Sequence, residues 1–157
     1  MKTLLNKWRS RRGSAMVEFA IGASLLATVF GGTFTWGFSL YRYNQLEAGV
    51  IAGARYAALR NYDSTTTTPS SAYTTAVKNM VVYGSPSPAA GTAPILPGLT
   101  TSNVTLTVDF NLGVPAGMTV AITGYQINTL FKKITLTGKP KIRYTFQALW
   151  NPVAGGG

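Results

Sequence analysis

The sequence predicts an α+β protein, a long N-terminal membrane-spanning helix packed at its outer half on a small antiparallel sheet. Three observations predict it. Phe19 to Leu40 carries no charge at all, about the length a helix needs to cross the hydrocarbon core of a bilayer. The next stretch, NQLEAGVIAGARYAALRNY, is alanine-rich and amphipathic, so the helix continues past the apolar run. The last third alternates apolar and polar residues with the period of strands.

Met1 to Arg12 is short and basic, with Lys2, Lys7, Arg9, Arg11 and Arg12 ahead of Gly13. Positive charge beside an apolar span holds that flank in the cytoplasm. A cleaved secretory signal would have a shorter apolar core with its cut after that core. Here the run is of full-span length and ends at Tyr41, Arg42 and Tyr43, residue types of a membrane interface. Small residues recur every fourth position, as Ala20, Ser24, Thr28 and Gly32 and again as Ala23, Ala27, Gly31 and Thr35. Such ridges let helices approach closely, although membrane helices hold many small residues in any case. Gly31-Gly32 is a place where the helix is expected to loosen.

Glu18 stands out, because a carboxylate at the start of an apolar helix is costly unless it is paired or reaches the interface. Two explanations stand side by side: it snorkels to the headgroups, or it meets a partner charge. A cut after Gly13 would create an ammonium at Ser14, about one turn away, and the amine of a neighbouring subunit is then a candidate partner.

The helix is predicted from about Ala15 to about Arg60, roughly 70 Å at the α-helical rise, so its outer half must enter water or pack on a folded domain. Gly49, Gly53 and Ala57 form another close-packing ridge. Asp63 to Ser71 is a polar loop that ends the helix. Ser70 or Ser71 is positioned to cap a short helix reaching about Tyr83, with Ala72, Ala76, Val77, Met80 and Val81 at helical spacing. Gly84 to Gly98 is a proline-rich loop. Val104 to Phe110 and Met118 to Tyr125 read as strands joined by a turn at Gly113 to Gly117. Ile134 to Thr137 and Lys141 to Leu149 read as further strands on either side of a Gly138-Lys139-Pro140 turn. One face of the sheet should pack on the helix, since so small a sheet needs cover. Asn151 to Gly157 reads as a tail. The chain thus divides into a basic leader at 1–13, the helix at 14–60, and an extracytoplasmic domain at 61–157 with a short helix and three or four strands.

Composition narrows the function. The net charge is +10, and half of it lies before Gly13, so the high pI says little about nucleic acid. There is no cysteine and no histidine, which removes disulfides, the commonest metal ligands and the commonest general base. The acids Glu47, Asp63 and Asp109 fall on helix, loop and strand rather than in a pair suited to acid–base work, and no phosphate-cradling glycine motif is present. No enzyme activity, cofactor, catalytic residue or metal site is expected.

Arg11-Arg12-Gly13-Ser14-Ala15-Met16-Val17-Glu18-Phe19-Ala20 resembles the processing site of a type IV prepilin, with its basic leader, glycine before the cut and glutamate five residues later. More narrowly, Val17 to Ala20 (Val-Glu-Phe-Ala) and Ala52 to Ala57 (Ala-Gly-Ala-Arg-Tyr-Ala) resemble the TadE-like pseudopilins of the tight-adherence (Flp/Tad) system. The resemblance covers Arg11 to about Arg60 well and the remainder in outline; the cysteines common in the distal domain of that family are missing here. It implies cleavage between Gly13 and Ser14 by a prepilin peptidase and subunit assembly through Glu18. The implied partners are other pilin subunits, in a homo- or hetero-oligomeric filament, and an inner-membrane assembly platform. The precursor would lie in the bacterial inner membrane, N-terminus inside, and the mature chain in the periplasm or a surface pilus. Major Flp subunits are far shorter, so a minor or pseudo-pilin is implied.

Two alternatives accompany this reading. One is a bitopic membrane protein whose leader is never cut. The other is a nucleic-acid-binding pilin, for Lys132, Lys133, Lys139, Lys141 and Arg143 cluster in sequence with Phe131, Tyr144 and Phe146, a composition suited to backbone contact plus base stacking. Lysines on a sheet edge that discourage aggregation explain the same cluster more simply, and nucleic acid is the disfavoured partner.

Overall fold

The computed structural model describes residues 2–129 and 132–147, with side chains from Gly13 onward. The element order is α1 (Lys2–Leu59), α2 (Ser71–Tyr83), a 3₁₀ turn (Thr101–Asn103), β1 (Val104–Asn111), β2 (Val114–Asn128) and β3 (Lys133–Thr145). The architecture is the expected α+β one, with the outer half of α1 packed on a three-stranded antiparallel sheet of order β1-β2-β3.

α1 is a single helix of 58 residues. It starts well before Ala15, because residues 2–12 contain no proline or glycine and are rich in Leu, Lys and Arg, which favour helix. It also runs unbroken through Gly31-Gly32, contrary to the expected loosening. Its character changes near Leu46. From there Leu46, Val50, Ala54 and Ala57 are buried at intervals of three and four, the spacing of one helix face. The Gly49–Gly53 ridge is used within the chain. A Cβ at Gly53 would lie 2.2 Å from Val81 Cγ2, and one at Gly49 would lie 2.8 Å from the Val81 carbonyl oxygen. These glycines let α2 press its backbone onto α1.

Ser70 caps α2, its side chain accepting from the Tyr73 N–H at 3.1 Å, and its own hydroxyl donates to Asp63. The cap therefore also fastens the polar loop that precedes it. Gly84 ends the helix in the left-handed conformation, φ 70°. The buried face of α2 is Tyr73, Ala76, Val77, Val81 and Val82; Ala72 is exposed and Met80 half-buried, so the face is turned slightly from the expected one.

The core lies between α1, α2 and the inner face of the sheet, where Val104, Val108, Met118, Val120 and Ile122 alternate inward. Tyr62 anchors its aromatic corner, edge-on to Tyr73 and Phe110 with ring centroids 5.6 and 5.8 Å apart, and tilted against Phe146. The Tyr62 hydroxyl donates to Thr66 O and that of Tyr73 to Ala57 O, each at 2.6 Å. Burial pushes both phenols above their ordinary range; for Tyr73 the charge of Asp63 adds to this and Arg60 opposes it.

Two strand boundaries differ from the sequence expectation. The β1–β2 turn is Leu112-Gly113 alone, both at positive φ, and Val114 to Gly117 already belong to β2. Two residues with positive φ match the twist of a tight hairpin. Gly138-Lys139-Pro140 is no turn between strands but an irregular passage inside one long β3, with Gly138 at φ 66° and a cis Lys139–Pro140 bond. The β2–β3 register shifts twice near Thr123, whose hydroxyl accepts from the Gly138 N–H at 3.3 Å. β3 is an edge strand, which tolerates the missing donor of Pro140. The end of the expected strand at Leu149 and the tail at Asn151 to Gly157 lie outside the described residues.

Candidate assembly site on the exposed half of α1

From Gly13 to about Phe30 every side chain of α1 is exposed, Phe19, Leu25 and Phe30 among them. The helix is long and apolar enough to cross a membrane, and its most apolar stretch is covered by none of the other described residues. So large an apolar surface has only two stable surroundings, lipid or other protein.

The glycines divide at the same boundary. A Cβ at Gly13, Gly22, Gly32 or Gly37 would meet nothing within 4 Å, whereas Gly49 and Gly53 are enforced by α2. The fold of the single chain therefore gives no packing reason for glycine at position 13. Ser14 and Glu18 are exposed on the same helical stretch, and Glu18 has no ion-pair partner among the described residues. The hydroxyls of the ridges, and Ser39 one turn beyond, are already bonded: Ser24 to Ile21 O, Thr28 to Ser24 O, Thr35 to Gly31 O and Ser39 to Thr35 O, at 2.7 to 2.9 Å. The ridges thus present carbon rather than free polar groups to whatever covers them.

Lys139, Lys141 and Arg143 are exposed on β3, while Tyr144 and Phe146 are half-buried and pack against the core. Strand alternation sends Lys141 and Arg143 to the face opposite Tyr144 and Phe146, and Phe131 lies outside the described residues. Arg143 is further occupied by Asp109. Glu47, Asp63 and Asp109 remain on separate elements, Asp63 bonded to Ser70.

A feature that the sequence did not suggest lies at the end of the sheet nearest the apolar run. An apolar groove of about 430 Å³ opens between α1, at Gly32, Thr35 and Ser39, and the β2–β3 hairpin, at Ile127, Ile134 and Leu136. Only the register of β2 against β3, which brings Ile127 opposite Ile134, reveals it.

No curated protein and no solved structure matches the chain. Residues 13–55 match the model of the family described as TadE-like protein, a span that starts at Gly13 and takes in both Glu18 and the Ala52 to Ala57 segment. The match falls on the one helix among the described residues that is long and apolar enough to cross a membrane, and it likens that helix to those of Tad pilus-associated proteins. Over residues 13–55, the helix that carries Gly13 and Glu18, this chain is TadE-like.

Proposed function

We propose that the chain is a minor or pseudo-pilin, a structural subunit of a type IV/Tad-type pilus. It is inserted with its N-terminus in the cytoplasm, cut between Gly13 and Ser14 by a prepilin peptidase, and drawn by an inner-membrane platform into a filament with other pilin subunits. Its role is structural rather than catalytic. The observation that carries the reading is the division of α1: the core ends near Leu46, and the stretch before it, which holds most of the TadE-like match, is apolar, exposed and supplied with glycines that meet nothing in the chain. In this reading, α1 exchanges lipid for neighbouring helices on assembly, and Glu18 takes the Ser14 ammonium of a neighbour.

The decisive measurement is the mass of the mature N-terminus in protein from native cells. The expected product begins at Ser14, and Gly13→Leu abolishes it. Assembled material that still carries Met1 to Arg12 would favour the uncleaved bitopic protein and overturn the processing step.

A further inference from the structure

We propose that the end of the β2–β3 hairpin rests on the outer leaflet of the membrane, with Lys132 and Lys133 among anionic headgroups. This contact sets the membrane span at about Ala15 to Phe34, not at the whole uncharged run to Leu40. The inference rests on the membrane reading above and deepens it.

The strands run along α1. Ile134 lies beside Thr35 and Ser39, whereas beyond the other end of β3 the Gln147 N–H donates to Ala58 O at 2.9 Å. The hairpin end therefore points toward the apolar, N-terminal part of α1. The α2 side of the domain meets α1 higher up, where Val81 faces Gly53 and Ile95 faces Gly49.

The domain leaves a footprint on the helix. From Gly13 to Phe30 every side chain is exposed, but Gly31, Gly32, Thr35, Ser39 and Arg42 are half-buried. Intervals of three and four place these on one helix face, while Trp36, Gly37 and Leu40 stay exposed. Bare helix thus ends at about Gly31. Gly32 lies about 12 Å below Leu40 at the α-helical rise.

Charge decides where the bilayer ends. Thr129 and Ile134 flank the helix at this level, and Lys132 and Lys133 stand between them in the chain. The Lys132 carbonyl accepts from the Thr129 N–H at 2.9 Å, which closes the hairpin end. Both lysines are exposed, and neither has an ion-pair partner among the described residues. A span running to Leu40 would carry this end of the hairpin into hydrocarbon, where ammonium groups are costly. A span ending near Phe34 leaves the lysines at the headgroups, where each gains about fivefold in affinity for an anionic leaflet. It also sets Trp36, 72% exposed, at the interface that suits an indole. Crossing the hydrocarbon takes about 20 residues. Counted back from Phe34 they reach Ala15, just past the basic flank that ends at Arg12. Glu18 then lies about one turn inside the cytoplasmic edge, a depth at which a carboxylate requires a partner.

The test uses the full chain, one copy per nanodisc, in mixed phosphatidylglycerol and phosphatidylcholine. The chain has no cysteine, so a single introduced one carries a nitroxide. Its depth is read from relaxation by oxygen and by a water-soluble nickel chelate. Asn128→Cys reports the hairpin end, and Phe30→Cys and Leu40→Cys report the helix. Thr107→Cys, on a strand position that pairs through Thr119 with Arg143 at the other end of the sheet, is the water reference. The Phe30 label should lie in hydrocarbon and the Leu40 label outside it. The Asn128 label should be several-fold less accessible to nickel than the Thr107 label. Lys132→Glu with Lys133→Glu should abolish that protection, and discs of phosphatidylcholine alone should weaken it. A Leu40 label in hydrocarbon overturns the span, and an Asn128 label as accessible as that at Thr107 overturns the hairpin contact. In both cases a Phe30 label in hydrocarbon leaves the membrane reading standing. Protection that survives Lys132→Glu with Lys133→Glu overturns the assignment to anionic headgroups. A Phe30 label in water sinks the membrane reading and the proposal together.

Discussion

Arg143 reaches Asp109 across the sheet, Nε to Oδ2 at 2.7 Å, by passing over Gly117 on the strand between them. A Cβ at Gly117 would lie 2.9 Å from the Tyr144 carbonyl oxygen and 3.0 Å from an Arg143 guanidinium nitrogen. The pair is about half exposed, 49% and 43%, and exposed pairs contribute at most about 1 kcal/mol. Asp109→Ala should therefore lower stability by under about 1 kcal/mol. Gly117→Ala should cost more, about 1–3 kcal/mol, because it collides with backbone. Chemical denaturation followed by tyrosine near-ultraviolet circular dichroism checks the order, and the reverse order would show that the ion pair, not the space, governs this strand.

The two sets of glycines on α1 give a sharper contrast. Gly53→Ala drives a methyl into Val81 and should destabilise the distal domain by about 1–3 kcal/mol. Gly22→Ala meets nothing within the chain and should leave unfolding of that domain unchanged. Its effect, if any, belongs to assembly, so the two variants should separate in a comparison of domain stability with filament yield.

Alkaline pH should weaken the domain through Tyr73. Its phenol is raised in the folded state, chiefly by burial, while in the unfolded chain it ionises near its ordinary value of about 10. Below that pH both states hold the proton and stability is unaffected. As pH rises above it the unfolded chain loses the proton first, so stability falls, by up to about 1.4 kcal/mol per pH unit from this group. Urea midpoints measured at pH 9, 10 and 11 should be level and then decline, and Tyr73→Phe should flatten the decline while lowering the plateau through loss of the bond to Ala57 O.

Glu18→Ala should leave membrane insertion and cleavage after Gly13 intact but prevent entry into filaments. A carboxylate in an apolar helix bundle is costly unless it is paired, so the interface with a neighbouring Ser14 ammonium is where the charge is needed. Glu18→Gln should be milder, because its amide still accepts a hydrogen bond. Comparing cleaved protein in membranes with protein in sheared filaments decides it, and normal incorporation of Glu18→Ala would mean that the acid merely snorkels.

Local signals were legible where one residue type has one physical job. Ser70 as a cap and the amphipathic continuation of the helix past Tyr43 were readable because capping and helical periodicity depend on near neighbours. Gly138-Lys139-Pro140 misled because the same three residues that make a turn also serve an irregular edge strand, and only Thr123, fifteen residues earlier, supplies the missing acceptor. The basic-aromatic cluster shows a different limit. Odd and even positions of β3 fall on opposite faces, so Arg143 and Tyr144 are neighbours in sequence and not on a surface. The groove required knowing how far down α1 the sheet extends, which no local pattern encodes. For the candidate assembly site, Gly13, Ser14 and Glu18 were singled out by sequence alone, and the structure adds that each is exposed on an uninterrupted helix.

The bonds from Ser24, Thr28, Thr33, Thr35 and Ser39 to carbonyls of their own helix make this rod indifferent to its solvent. A free hydroxyl must find a new partner whenever its surroundings change, and it resists leaving the old one. These five carry their partners with them. Moving the rod from one oily medium to another then breaks none of their hydrogen bonds, and the polar cost of relocation falls on groups outside this set, the carboxylate of Glu18 and the amine of Ser14 foremost.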